Sequence, residues 1–369
     1  MSLFGPIRLR RGYYHCGHCR RGHCPWDGVL GLGGQKLTPA AREVVCLAGV
    51  QASFAEAATK ALQKLCGLHL SESTVERATE AAGAEVGVRL AAGETFGPRE
   101  SWAWHRDAEG QTCGYVTIDA TGVPQQGPGG SPADGRMAYV AAVYNPLPEE
   151  LAWRHPAARC AGRARARYLA GLGPLSALAE PLRRQAAQVG MDRAQRWIAL
   201  SDGGSGLEEF LRTNFARVEA VILDFFHVAE RLNELARAWW PGDEGAAEAG
   251  AAAWCHQLKH EGGTAVRETL RELRPPSGRW SAAARECYRE QLQYFENQVH
   301  RMDYPAYLSK GWQIGSGPVE SACKRVVGQR LKGAGMRWGE SGSDSVCHLR
   351  ALFLSDDDQW DAFWHSSAA

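Results

Sequence analysis

Apolar positions recur at helical spacing from Leu37 to about Leu90. A Thr38-Pro39 start signal leads into AREVVCLAGV, then SFAEAATKALQKL, then SESTVERATEAAGAEV. Three short helices separated by tight turns predict a helix-turn-helix-like unit over residues 35–95. Its expected core is Leu47, Val50, Phe54, Ala58, Leu62, Leu65, Leu68 and Val75. Ser71, Ser73, Thr74, Glu76 and Arg77 would begin a recognition helix, with Ser73, Thr74 and Arg77 facing DNA. A small helical bundle without DNA contact fits the same pattern, since generic three-helix patterns are common. Residues 94–111, rich in Gly, Trp and charge, read as a linker.

Beyond the linker the period changes from helical to strand. CGYVTIDATGV places a β-branched strand directly before Asp119, with Thr121 and Gly122 turning the chain. QQGPGGSPADG then leads to a second strand, RMAYVAAVYNP, so a hairpin is expected. Residues 154–188 are basic and partly helical. RWIAL is a strand ending at Ser201-Asp202-Gly203, SGLEEFLRTNF a helix capped by Ser205, and EAVIL a strand ending at Asp224. Phe225, Phe226 and His227 stand at the head of the next helix. Helical periodicity returns over 240–310, interrupted by a Pro-Pro-Ser-Gly break at 275–278, and reads as an insertion. The closing CHLRALFLSDDDQWDAFWH packs through Leu349, Leu352, Phe353, Trp360, Phe363 and Trp364.

Strands that end in aspartates and alternate with helices describe a mixed α/β sheet, in the order hairpin, strand, helix, strand, helix. This is the order of a ribonuclease H-like fold, in which the first strand is central and the strand after the first crossover lies beside it. Asp119 and Asp202 would then be neighbours, with Asp224 one strand further out. That placement selects Asp202 over Asp224 as the second acid.

A third acid stands in WQIGSGPVESACKRVVGQRLKGAGMRW, residues 312–338. Gly315, Ser316, Gly317 and Pro318 form a turn and a helix start, which puts Glu320 in the first helical turn. Lys324, Arg325, Arg330, Lys332 and Arg337 follow it. A solvated amphipathic helix with a dipole-favoured glutamate explains this stretch when it is taken alone. Beside Asp119 and Asp202, Glu320 becomes the third member of a carboxylate set. Such a set can hold two divalent ions about 4 Å apart for phosphodiester chemistry. Oxygen ligands select Mg2+ or Mn2+.

Charge supports a phosphate-bearing partner by its distribution, because the 369-residue chain has a net charge of only +1. Residues 1–26 hold Arg8, Arg10, Arg11, Arg20 and Arg21 and no acid. Residues 154–196 hold nine arginines against Glu180 and Asp192. Segregated positive blocks are the footprint of a nucleic-acid backbone. No apolar run approaches a membrane span and no signal-peptide core is present, so a cytoplasmic, nucleoid-associated protein is expected. Eleven cysteines, an odd number scattered through apolar segments, imply reduced thiols. In YYHCGHCRRGHCPWD, Cys16 and Cys19 form a C-x2-C knuckle that Cys24 or His23 would have to complete as a zinc site. A truncated ribbon without zinc fits equally.

IDATGVP, LSDGGSGL, LDFFHVAERL, the 301–338 block and the closing LRAL...WDAFW together resemble the Kra-type (ISKra) insertion-sequence transposases, a DDE family distantly akin to Mutator-like and hAT elements. The resemblance covers nearly the whole chain, and GSGPVES...K...R.K..GMRW is its most specific part. It implies a bacterial DDE transposase that cuts transposon ends and joins them to target DNA, working on double-stranded DNA as a homodimer. By motif, Asp119, Asp202 and Glu320 are the catalytic Mg2+ ligands. Asp224 and His227 take an accessory role, and Lys324, Arg330 and Lys332 hold the DNA backbone. The implied layout is a partial zinc ribbon (1–34, with Cys16, Cys19 and Cys24 as the Zn2+ ligands) and the helix-turn-helix-like unit (35–95). A ribonuclease H-like core (112–235 and 311–355), a helical insertion (236–310) and a C-terminal tail (356–369) follow. Two departures stand out. The cysteine pair expected upstream of YYHCGHC is missing, which suggests an internal start or a 5' truncation, and GRMAYVAAVYN replaces an expected charged motif. A catalytically silent DNA-binding descendant and a nuclease without strand transfer are the alternatives.

Overall fold

In the computed structural model, residues 1–30, 32, 37–146, 165–274, 281–315, 322–356 and 358–365 are described. Eight strands are present among them. The short β1 (Tyr14–His15) and β2 (Gly22–His23) pair near the N-terminus. The remaining six form one mixed sheet: β3 (His105–Arg106), β4 (Thr112–Gln126), β5 (Pro132–Asn145), β6 (Arg165–Gly171), β7 (Arg196–Ser201) and β8 (Val218–Leu223). The strand order is β6-β5-β4-β7-β8, with β3 pairing to β4. The β4–β5 and β5–β6 pairs are antiparallel, whereas β4–β7 and β7–β8 are parallel. Cys113 to Asp119 of β4 are buried without a break, as expected of a central strand covered on both faces.

Three sequence expectations change here. The chain does not turn at Thr121–Gly122. These residues pair with Ala138 and Met137, and β4 continues through a bulge at Val123/Gln125. The extension is held by Trp338, whose N–H donates to Pro124 O (3.2 Å) and whose O accepts from Gln126 N (2.8 Å). The reversal falls instead at Gly127–Ser131, where Gly129 and Gly130 adopt positive φ. Within the basic stretch 154–188, residues 165–171 form β6 and Ala179–Gln188 a helix. Arg167 of that strand is fully buried and donates to Pro98 O, so part of the block serves the fold. Residues 94–111 are no free linker: Phe96, Trp102 and Trp104 are buried, and Trp104 Nε1 donates to Gly190 O.

The helices around residues 39–91 form where capping predicts. Thr38 caps Pro39–Gln51, Ser53 caps the helical stretch that starts at Phe54, and Ser71 caps Glu72–Ala91. Leu65, expected in their core, is 83% exposed because it ends the second helix facing outward, and Leu47 is only half-buried. These helices share one core with the sheet. Glu72–Ala91 lies against Glu340–Leu354, which in turn packs on β6. Gly83 allows that crossing, since a Cβ there would stand 1.9 Å from Ser345 O. Gly83→Ala should therefore cost about 1–3 kcal/mol in urea unfolding. Gly245→Ala, with only Asp243 Oδ1 nearby at 3.7 Å in an exposed helix, should be neutral or stabilising.

After β8 the described residues run through the helices Phe225–Trp239, Glu244–Glu261, Gly263–Glu272, Ala282–Gln298 and Tyr304–Ser309, with no strand among them. The C-terminal Gln359–His365 is a packed helix, with Phe363 edge-on to Phe96.

Candidate active site

The register that pairs Ile118 with Ser201 brings Asp119, next on β4, near Asp202, the residue after β7. Asp119 lies mid-strand and is 8% exposed, while Asp202 starts a half-buried turn after β7. Burial raises the pKa of Asp119, and the charge of Asp202 raises it further. A hydrogen bond from the Cys323 thiol, the Ala120 N–H (2.6 Å to Oδ1) and the nearby His227 pull the other way. Two acids are thus held together where their ionised forms repel. A carboxyl whose pKa is raised by folding stabilises the protein below its ordinary pKa and loses that contribution as pH rises through the raised value. Asp119→Asn should therefore make the metal-free protein roughly 1 kcal/mol more stable at pH 7. The gain should fade as pH falls through the raised value and be gone below the ordinary carboxylate range, which thermal melts across pH would show.

The turn after β7 is braced from several sides. Asp202 Oδ1 accepts from Gly204 N (2.9 Å), and the Tyr294 ring fills the space a Cβ on Gly203 would need. Asp224, fully buried at the end of β8, donates its N–H to Ser201 O (3.0 Å) and caps the following helix by accepting from Phe226 N (2.8 Å). His227, half-buried one turn on, has Nδ1 3.7 Å from Glu230 Oε2.

Glu320 lies outside the described residues, together with Ser316 to Ser321. Its described flanks both reach this region. Phe225 N donates to Ile314 O (3.0 Å), Gly315 abuts the Phe226 ring, and on the other side the Cys323 thiol bonds to Asp119. The basic residues after it divide into two kinds. Lys324 and Arg337 are exposed, Arg325 is half-buried, and exposed Lys332 donates from Nζ to Thr121 Oγ1 on β4. Arg330 is corrected from DNA contact to core. It is 2% exposed, donates from Nε to Gly49 O (2.8 Å), and lies over the Phe54 and Trp338 rings. Burial pushes its pKa down to about 10, so it stays charged at neutral pH.

At the start of Glu72–Ala91, Ser73 and Arg77 are exposed and Thr74 half-buried. Thr74 N donates to Ser71 Oγ (3.3 Å) and Arg77 Nε to Ser73 O (2.9 Å). In the N-terminal knuckle, Cys19 N points to Cys16 Sγ at 3.5 Å, which lowers the Cys16 pKa. Cys24 precedes the short helix Pro25–Val29. The three sulfurs do not converge. Among the described residues, the set of three His, Cys, Asp or Glu donor atoms within 4.8 Å of one another is Glu43, Asp361 and His365, an exposed or half-buried grouping of a kind common without an ion. Cys16, Cys19 and Cys24 are not such a set: Cys16 and Cys19 lie within the β1–β2 reversal and Cys24 follows β2.

Arg301, Tyr304 and Cys323 touch this site but escape pattern reading. Arg301 and Tyr304 stand in RMDYP as ordinary helix-flanking residues, and only the tertiary fold brings Cys323 to Asp119. No protein-family model and no curated protein matches the chain. Among the described residues no helix is long and apolar enough to cross a membrane.

Proposed function

We propose that this protein is a DDE-type DNA transposase built on a ribonuclease H-like core, with Asp119, Asp202 and Glu320 as its catalytic carboxylates. The observation that carries the reading is the position of Asp119 on β4 and Asp202 directly after β7, each one residue beyond the Ile118–Ser201 pair, in a sheet whose order β6-β5-β4 is antiparallel and whose β7 and β8 run parallel to β4. Two hard-oxygen acids at such a point, one buried with a raised pKa, suit a divalent cation, which offsets their repulsion. When bound, Mg2+ or Mn2+ would activate the attacking oxygen and stabilise the leaving one.

The chain's own groups would do the rest. The Cys323 thiol and Ala120 N–H favour the ionised form of Asp119, ready to bind a cation. His227 lies close enough to adjust charge at the same carboxylate. Exposed Lys324, Lys332 and Arg337, with half-buried Arg325, would hold phosphates of double-stranded DNA, and Ser73, Thr74 and Arg77 would offer a second DNA contact. Paired cutting of two element ends calls for a homodimer, acting at the nucleoid.

The test uses labelled duplexes drawn from the DNA on either side of the gene, searched first for inverted repeats, incubated with Mg2+ and a target plasmid. The reading expects 3'-hydroxyl ends and joined products. Cutting without joining would favour a nuclease, and DNA binding alone a silent descendant. Cutting and joining that survive Asp119→Asn, Asp202→Asn and Glu320→Gln would remove these acids from the chemistry.

A further inference from the structure

The Asp202 turn rests on a residue from the helical insertion. Arg301, in the turn Val299–Arg301 after Ala282–Gln298, is 1% exposed. Its Nε donates to Val221 O (3.2 Å). One terminal nitrogen donates to Asp202 O (3.3 Å) and Gln298 Oε1 (3.0 Å), and the other to Ser201 O (3.1 Å) and Ser201 Oγ (2.6 Å). A guanidinium has five N–H donors, and all five are used here. Three of the acceptors belong to the C-terminal parts of β7 and β8, and a fourth, Asp202 O, to the residue that follows β7. Glu208, on the helix that follows the turn, stands 3.8 Å from Nε and also meets His300 at 3.0 Å. Two residues of the insertion add to the brace: Tyr304 donates its hydroxyl to Leu223 O (2.9 Å), and Tyr294 stacks under Arg231 while backing Gly203.

Packing alone does not call for this arrangement. A buried cation is costly, and a hydrophobic side chain of the same volume would take its place only by leaving these acceptors without this donor. What a planar fork adds is direction, because it ties the two backbone carbonyls of Ser201 and Asp202 to one rigid group.

We propose that Arg301 is a positioning residue for Asp202, so that the helical insertion completes the carboxylate site. The inference rests on Asp202 being a metal ligand, as in the function proposed above. Arg301 acts through the backbone at Asp202 and touches neither metal nor DNA.

The experiment measures Mn2+ binding to the full chain by the electron paramagnetic resonance of free Mn2+, and amide exchange at Gly204 in the metal-free protein. Arg301→Lys keeps the charge but loses the fork. It should weaken Mn2+ binding about 10–100-fold, the range typical of groups that orient metal ligands, and speed Gly204 exchange about tenfold. In Arg301→Ala, millimolar guanidinium should restore much of the Mn2+ affinity, a rescue that a general packing defect would not show. If Arg301→Ala does not fold, Ser201→Ala, which removes the 2.6 Å acceptor, should shift both readouts in the same direction by about threefold. Arg212→Ala, which loses only an exposed contact to Glu208, should change neither by more than about twofold. Unchanged Mn2+ affinity and Gly204 exchange in Arg301→Lys or Ser201→Ala, with Asp202→Asn losing Mn2+, would overturn the role of Arg301 alone. Unchanged Mn2+ affinity in Asp202→Asn would overturn the metal site itself.

Discussion

Asp202→Asn is expected to lower Mg2+-dependent DNA cleavage by at least about 10³-fold, with DNA affinity in Ca2+ little changed. Charge stabilisation by a bound cation is worth several kcal/mol at the transition state, and each 1.36 kcal/mol is tenfold in rate. An amide keeps the shape of the side chain and its hydrogen bond from Gly204 but gives up the negative charge that a hard cation requires. Asp119→Asn should be equally inactive while being the more stable protein at neutral pH. That inverse relation between activity and stability is what a like-charged pair kept for function predicts. Asp224→Asn separates the two aspartates that end β7 and β8. Asn caps a helix as well as Asp, so the capping bond to Phe226 survives and the loss should stay within about tenfold. A gel assay on one labelled duplex reads all three variants.

The largest stability effect is expected at Arg350, far from the carboxylates. Its side chain is 4% exposed and donates to Val326 O (2.8 Å), Val50 O and Arg325 O. Arg330 meets the neighbouring carbonyl, Gly49 O, so two cations close the last turn of Pro39–Gln51, where the helix dipole favours positive charge. Arg350→Met would take a charged donor from each of three carbonyls, at about 1–3 kcal/mol each before relaxation. The expected cost is therefore about 3–5 kcal/mol in urea unfolding.

Much of the frame was legible in the residues. Thr38, with Pro39 behind it, announced its helix because a cap is a local hydrogen bond within four residues. The apolar runs before Asp119, Asp202 and Asp224 marked three strands of the sheet, and Asp119 and Asp202 came together as the strand order required. β6 was hidden because its arginines read as surface charge. In the folded chain Arg167 is buried beneath Pro98, and Arg165 lies over Trp102. The end of β4 was misplaced for a similar reason. Thr121 and Gly122 look like a turn, yet Trp338, over two hundred residues away, supplies the partner that keeps the strand extended. Arg330 shows the limit most clearly. A basic run in one dimension says nothing of which cation turns inward, and only the approach of Gly49 O decides it.

The bond from Arg350 to Val50 spans 300 residues, and the one from Arg330 to Gly49 spans 281. On a ribosome adding ~5–20 residues per second, the two ends of the longer link emerge roughly 15–60 s apart. Throughout that interval the apolar side of Glu72–Ala91, with Val75, Ala82 and Val86, has no Glu340–Leu354 helix to lie against. The helices over residues 39–91 are thus made well before the segment that secures them.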